Sequence, residues 1–562
     1  MNLKTIALLC FALSGMAALL YEVAWARPLQ MIMVSTVYTA SILFGVFMLG
    51  LALGSLLISK YSDKIKNPLS AYGIMELGIG IYGIMLVPLF NMLPDAYRAI
   101  YPFSQHFYLF ELILGLAVFV LLLIPTTLMG ATFPLIAKYV SEKSRGEGVG
   151  KAYSANNLGA IAGSLAAGFL FVPLFGIKSS IIIAAVLNLF VASIILFHSS
   201  PNLAKKILPV AFILFFAFAF FAKYDVQELH SSGYYAGAPK EEVAKGKIIF
   251  YEEGSYGTIA VKKFTDTGAL SLFINGKGQG SNIASDWRVN LLLATLPLIF
   301  NPESENALVI GLGTGTTSGL LAEAVGVTTV EIEPAILDAA RHFSKMNHNV
   351  LDNKNHKIVI ADGRNFLLKT NEKYDIIIPE PSDPWQSFSA SLFSKEFIEL
   401  AASRLNDGGI YVQWAPLYGM GADDFRSFYY TFNSVFPYTA GFVNAREDEP
   451  IPIKLHPSEL IIIGSKSPIE SDKLKLAASM ANIPESVRKD LYGVGIDNID
   501  SILFLKAFSG DEIAGYGGDQ GIITDNKNKI EFSTARRAVS TKSPGILQDI
   551  WLFKAGINEK SD

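Results

Sequence analysis

Hydrophobic and polar positions follow two different rhythms along this chain. Up to about residue 222, apolar residues run in nearly unbroken blocks near 5–25, 35–59, 70–94, 107–137, 153–174, 178–197 and 205–222. A membrane-crossing helix needs about 20 mostly apolar residues, so the blocks predict about seven spans. The fourth is long, and Pro125 and Pro134 should kink it. Lys4 ahead of the first block resembles a signal peptide, but the block continues to Trp25 and further blocks follow at once.

After residue 246 the rhythm shortens. "GKIIFYEEGSYGTIAVKKF" and "ALSLFINGKGQGS" are rich in β-formers and punctuated by glycine, which predicts a small antiparallel β unit. From about residue 283 strands alternate with helices. "ENALVIGLGTG", "TTVEIEP", "HKIVIADG", "YDIIIPE" and "GGIYVQW" read as strands. "AILDAARHFSK" and "LFSKEFIELAASRL" read as helices between them. Such alternation predicts a parallel, doubly wound sheet that binds its ligand at the carboxyl ends of the strands. The expected fold is a multi-pass α-helical membrane domain followed by an α/β Rossmann-like domain of methyltransferase type with a small N-terminal β unit. The boundaries are a membrane domain over 1–223, a linker and β unit over 224–282, a catalytic domain over 283–470, and a C-terminal extension over 471–562 that packs on it.

Composition sharpens this picture. The chain has 562 residues, of which 51% are hydrophobic and only 17% charged, which points to a membrane-embedded part. A net charge of -4 gives no basic surface for nucleic acid. Cys10 is the single cysteine and the seven histidines lack ligand spacing, so neither a disulfide nor a metal site is expected. The short loops place Lys4, Lys60, Lys64, Lys66, Lys138, Lys143, Arg145, Lys151, Lys205 and Lys206 on one side. Arg27, Arg98 and Lys178 fall on the other. The basic side should be cytoplasmic, so seven spans would put the catalytic domain outside the cytoplasm, on a multi-pass protein of the inner (plasma) membrane. Gly50-xxx-Gly54 and Gly159-xxx-Gly163 predict close helix contacts. Glu22, Glu76 and Glu111 lie in or near apolar blocks, where each needs a partner or a wet cavity.

The unusual residues of the second half gather at strand ends. Gly311, Gly313, Thr314 and Gly315 follow the first strand and allow a nucleotide to approach the backbone. Glu331 ends the second strand about 20 residues on, where an acid takes ribose hydroxyls. Asp362 and Gly363 end the third, where a side chain can meet an adenine edge. The turn lacks a full G-x-G-x-x-G pattern, which favours adenosine without diphosphate. S-adenosylmethionine or a relative fits that description. After the fourth strand, Pro379, Pro381 and Pro384 stiffen a loop carrying Glu380 and Asp383, with Trp385 next to it. Two carboxylates can attract an ammonium and accept its proton before attack, and an indole can cover a cation.

These motifs carry a family resemblance. "YDIIIPEPSDPWQSFSASLFSKEFIELAASRLNDGGIYVQW", "INGKGQGS" and "ATLPLIFNP" resemble the spermidine synthase (polyamine aminopropyltransferase) family over roughly residues 246 to 470. "SGMAALLYEVAWAR", "FMLGLALGSLL", "PTTLMGATFPL", "EPSDPW" and "TDNKNKIEF" are similar to its membrane-fused branch. The resemblance implies decarboxylated S-adenosylmethionine as donor, a polyamine or other amine as acceptor, and methylthioadenosine as product, with no prosthetic group. It implies that Glu331 holds the ribose, Asp362 the adenine, Glu380 the catalytic position, Asp383 the second carboxylate and Gln279 the amine side. Soluble members form dimers or tetramers, so a homo-oligomer is among the implied partners, beside the lipid bilayer. The chain departs from the family at Thr314 and Asn275, where the family has Asp, in "WRVNL" at 287–291, and in the longer Glu380. These departures fall on the amine half. Two other readings stay open: a methyltransferase-like enzyme using intact S-adenosylmethionine, and a polyamine transporter or sensor with a non-catalytic soluble domain.

Overall fold

The computed structural model describes residues 2–31, 33, 36–61, 64–141, 145–225, 229–231, 245–380, 383–445, 459–538 and 545–556. The chain divides into two compact units, Met1–Pro239 and Lys240–Asp562.

The first unit is helical: α1 (Leu3–Gln30), α2 (Thr36–Tyr61), α3 (Pro68–Phe90), α4 (Phe107–Val140), α5 (Arg145–Ala166), α6 (Val172–Ser199) and α7 (Pro201–Phe221), with a short helix at Leu93–Ile100. Glycines set the closest approaches. A Cβ on Gly159 would collide with the carbonyl of Ala12, and one on Gly163 with that of Met16. Gly54 lies equally close to Thr127, and Gly130 to Leu51. Small residues of this kind let apolar helices pack backbone to backbone.

These contacts also fix direction. The pairs 12–159 and 16–163 mean that α5 runs parallel to α1. Ser14 meets Glu76 and Tyr21 lies over Gly83, so α3 is parallel to α1 as well. Gly73 faces Leu196 while Gly80 faces Ala185 and Leu189, so α6 is antiparallel to α3. The chain therefore reverses between α5 and α6. It does so near Gly176, whose φ of 80° and ψ of 172° no helix contains. Among the described residues six helices are long and apolar enough to cross a membrane, counting Gly146–Ser199 as one. At about 1.5 Å per residue that 54-residue stretch would overshoot a core about 30 Å thick, and the reversal at Gly176 resolves it into two arms. Seven apolar blocks in the sequence and six helices in the structure describe the same chain. Asn67, which caps α3, donates to the Ser199 carbonyl at 3.1 Å, so α7 begins at the end where α3 begins. At the opposite end Asn91 donates to Lys223 (2.6 Å) and Lys178 to Ala222 (2.7 Å).

Glu76 is enclosed in this unit and accepts hydrogen bonds from Ser14 (2.5 Å) and Asn188 (2.7 Å), so it has the partners that a carboxylate at such a place requires. Leu112, Leu116 and Val120 of α4 and Ile213, Phe216 and Phe220 of α7 stay exposed, the surface a lipid tail would cover.

The second unit opens with an antiparallel meander of β1 (Gly246–Glu253), β2 (Thr258–Phe264), β3 (Leu270–Ile274) and β4 (Lys277–Ser281). Asn275 (φ 50°) and Gly276 (φ 77°) supply the two positive φ values that a tight β3–β4 turn needs. The register slips between Leu272 and Phe273, which pair with Gly280 and Gly278, so Gln279 is a bulge. Ile259, Val261 and Leu272 pack this meander on Ile336, Ala339 and Phe343.

Among the described residues the main sheet has eight strands. Strands β5 (Asn306–Ile310), β6 (Gly326–Glu331), β7 (His356–Ile360), β8 (Tyr374–Pro379) and β9 (Leu405–Pro416) are parallel. Strands β10 (Tyr438–Val443), β11 (Glu459–Ser465) and β12 (Lys506–Ser509) are antiparallel to their neighbours. The order is β12-β10-β11-β9-β8-β5-β6-β7. The sequence predicted only the parallel part. The mixed edge comes from segments beyond residue 437. Because β5 and β8 are neighbours and the chain leaves them in opposite directions, the crevice for a ligand opens between their carboxyl ends. One core runs from Val289 of α8 (Ala284–Phe300) through Ile376, Ile377 and Ile378 to Leu476, Val487, Ile530 and Ile550. Residues from 471–538 and 545–556 thus share the core of the sheet instead of forming a separate layer on it, and β12 extends the sheet itself.

Candidate active site

The carboxyl ends of the central strands are tied to each other by backbone hydrogen bonds. The Gly311 N–H donates to Val330 (2.8 Å), Ala361 to Glu331 (3.0 Å) and Glu380 to Ile310 (2.8 Å). Gly311 takes φ 99° and Gly313 φ 53°, both costly for other residues. A Cβ at Gly311 would come within 3.0 Å of the Glu380 carbonyl, so the loops after β5 and β8 need this glycine to lie side by side.

Above them lies a cavity of about 660 Å³, a size that suits a small-molecule substrate. Gly311, Gly313, Glu331, Asp362, Gly363, Glu380 and Gln279 line it together. The bulge at Gln279 breaks the strand alternation where this residue meets the cavity. Thr314, Gly315, Asp383 and Trp385 stand behind the wall. The Thr314 hydroxyl shares a 2.8 Å hydrogen bond with Thr316, and Gly315 takes φ 78° at the start of α9 (Thr316–Ala322). Pro381 and Ser382 of the proline-rich loop lie outside the described residues.

Glu331 is held hard. Its carboxylate accepts from the backbone N–H of Leu312 (2.8 Å) and of Glu333 (2.9 Å). Burial raises its pKa against those donors. Asp362 caps α10 (Gly363–Lys369) by accepting from Asn365 N–H at 2.7 Å. Glu380 is held loosely. Its Oε1 is enclosed without a hydrogen-bond partner among the described residues. Burial pushes its pKa up to about 7, opposed only by the Thr317 hydroxyl.

Sequence reasoning missed part of the cavity wall. Asp286, Trp414, Tyr418 and Glu459 also line the cavity. Glu459 accepts from the Trp414 indole (3.2 Å) and from Asn444 (2.9 Å), which in turn accepts from Arg288 (2.7 Å). Burial raises its pKa. Asp286 accepts from the Ser281 hydroxyl at 2.6 Å. Lys277 forms an ion pair with Asp383, and its Nζ lies 4.3 Å from the Trp385 ring centroid. Desolvation pulls the Lys277 pKa well down, and the Glu459 carboxylate opposes it only in part. The one signal for Asp286 was its place in the "SDWRVNL" stretch beside the turn. Glu459 gave none, because its strand joins the sheet antiparallel and out of chain order.

A doubly wound sheet with an acidic cavity over its switch point, and positive-φ glycines at the end of β5, defines a protein of the Rossmann-like, methyltransferase-type class. Comparison with known proteins narrows it. Residues 288–445 match the spermine/spermidine synthase domain, and residues 5–248 match the Major Facilitator Superfamily. Polyamine aminopropyltransferase 2 of Aquifex aeolicus is 27% identical over 74% of this chain and 80% of its own. Polyamine aminopropyltransferase of Oceanobacillus iheyensis is 22% identical over 87% and 91%. A spermidine synthase of known structure from Thermotoga maritima is 19% identical over 51% of this chain and 84% of its own, with a TM-score of 0.34. The chain thus carries a spermine/spermidine synthase domain with apolar helices ahead of it, and over much of its length it is similar to proteins named polyamine aminopropyltransferase.

Proposed function

We propose that this protein is an integral-membrane aminopropyltransferase that moves an aminopropyl group from decarboxylated S-adenosylmethionine to an amine. The observation that carries the reading is that Glu331 and Glu380 line one cavity. In this reading the glycine loop, Glu331, Asp362 and Gly363 hold the nucleoside, with Glu331 on the ribose hydroxyls and Asp362 at the adenine. Thr314 and Gly315 set the shape of that loop from behind. Glu380 faces the acceptor nitrogen. The nitrogen lone pair attacks the methylene next to the sulfonium, a C–N bond forms, and the C–S bond breaks with its electrons going to sulfur. Methylthioadenosine leaves, and the ammonium proton passes to Glu380. A base with a pKa near 7 both accepts and releases a proton at neutral pH. The carboxylates of Glu333, Asp286 and Glu459 add negative potential that draws in a sulfonium and an ammonium together. Gln279 orients the amine from the β4 bulge, and Asp383 and Trp385 support the acceptor wall.

The helical unit is read as the membrane anchor. Lys4, Lys60, Lys66, Lys138, Lys151, Lys205 and Lys206 fall at the end where α1, α3, α5 and α7 begin, and the excess of lysine assigns that end to the cytoplasm of an inner (plasma) membrane. Residue 222 then emerges on the other side. A reporter fused after residue 562 tests this, since cytoplasmic activity of the reporter rejects it. For the chemistry, the detergent-purified chain is incubated with decarboxylated or intact S-adenosylmethionine and a panel of amines, with products read by mass. An aminopropylated amine together with methylthioadenosine is expected. A methylated product would move the protein to the methyltransferase reading.

A further inference from the structure

Behind the acceptor wall sits a buried cation that the reaction above does not use. Lys277 opens β4 directly after the Asn275-Gly276 turn. Its side chain is 12% exposed and forms an ion pair with Asp383, itself 1% exposed. Its Nζ lies 4.3 Å from the centroid of the Trp385 ring and 5.4 Å from that of Tyr418, and 3.5 Å from the Tyr418 hydroxyl. A carboxylate flanked by two aromatic rings is a receptor for an alkylammonium. Tyr418 also lines the cavity, so this receptor adjoins the space where the acceptor would lie. The other carboxylates on the acceptor side have neutral donors already: Asp286 holds Ser281, and Glu459 holds Trp414 and Asn444.

We propose that Lys277 determines the acceptor class by filling the Asp383–Trp385–Tyr418 receptor with a tethered ammonium of its own, so that the acceptor is an amine with a single charged nitrogen and an uncharged tail. The inference rests on the amine-acceptor reading above. A diamine reaching the same receptor would have to evict Lys277 from Asp383, and one buried carboxylate cannot neutralise two cations. A monoamine presents its only nitrogen to Glu380 and leaves the ion pair in place.

Calorimetry on the detergent-purified full chain, saturated with methylthioadenosine, tests this by comparing butylamine with 1,4-diaminobutane. The wild type is expected to bind butylamine at least as tightly as the diamine. Lys277→Met empties the receptor and is expected to shift the ratio towards the diamine by about tenfold or more. Lys277→Arg keeps a cation there and is expected to keep the wild-type ratio. Lys277→Met combined with Asp383→Asn is charge-balanced but no longer attracts an ammonium, and should lose the gain. A wild-type preference for the diamine overturns the proposal, and so does an unmoved ratio in Lys277→Met. If that variant does not fold, the wild-type and Lys277→Arg ratios still decide. Transfer assays on the same proteins separate the two readings. A shifted binding ratio without transfer to any amine removes the enzymatic reading alone, and transfer with an unmoved ratio removes this inference alone.

Discussion

In the proposed reading the cavity has a nucleoside end and an acceptor end; both present glutamates, and the two ends hold them differently. Glu331 is clamped by backbone N–H groups of residues 312 and 333, donors that move only if the strand ends move. Among the described residues Glu380 has an oxygen without a partner and one hydroxyl opposing its desolvation. A carboxylate clamped by backbone suits binding, because its position is fixed before the ligand arrives. A carboxylate left short of donors suits proton transfer, because burial has brought its charged and neutral forms close in energy. At the acceptor end Asp383 is answered by a lysine, and Asp286 and Glu459 mainly by side-chain donors instead of by backbone, so side-chain changes can retune that end while the nucleoside end stays as it is.

The sharpest way to break this comparison is Glu380→Gln. Turnover should fall by about a thousandfold, as expected when a general base is removed, while methylthioadenosine affinity stays within about twofold. Equal loss of both would mean that the two ends are not separable. Next in size is Asp383→Asn, which strands Lys277 without its buried partner. The cost should be about 3 kcal/mol of stability, visible as a lower unfolding temperature in detergent, and Lys277→Met added to it should restore part of the loss. Glu331→Gln turns an amide N–H towards a backbone donor and should weaken methylthioadenosine binding by about 2 kcal/mol, roughly thirtyfold, by calorimetry. The pH profile separates the ends most finely. Glu380 must be ionised to accept a proton and its pKa is raised to about 7, so kcat/KM should fall about tenfold per unit as pH drops below about 7. Nucleoside binding should not share that limb. The same raised pKa means that the folded state favours the protonated carboxyl. The Glu380 contribution to stability is therefore full below about 4.5 and lost as pH rises through about 7.

Much of this was legible from residues alone, for reasons that can be named. The parallel strands announce themselves as apolar runs ended by Gly311, Glu331, Asp362 and Glu380, and the resemblance to spermidine synthases rests mainly on the stretch that begins with the strand ending at Glu380. Residues that a strand delivers to its own carboxyl end can be found by reading along the chain. Glu459 cannot, because β11 runs antiparallel between β10 and β9 and brings its first residue to the cavity from the far side of the sheet. Lys277 was passed over because a lysine after an Asn-Gly turn looks like a solvated hairpin tip, and only packing against Trp385 shows otherwise. The reversal between α5 and α6 hid for a similar reason. Gly176 is one glycine in an apolar run, and its left-handed backbone shows only in coordinates.

That single glycine sets a parity. With the turn at Gly176 the polypeptide passes from one end of the helical unit to the other an odd number of times. Straightening the turn into one long rod, as Gly176→Leu would favour, removes a crossing and makes the number even. In the proposed membrane reading, residues after 222 would then emerge on the opposite side, although no residue beyond 222 had been changed.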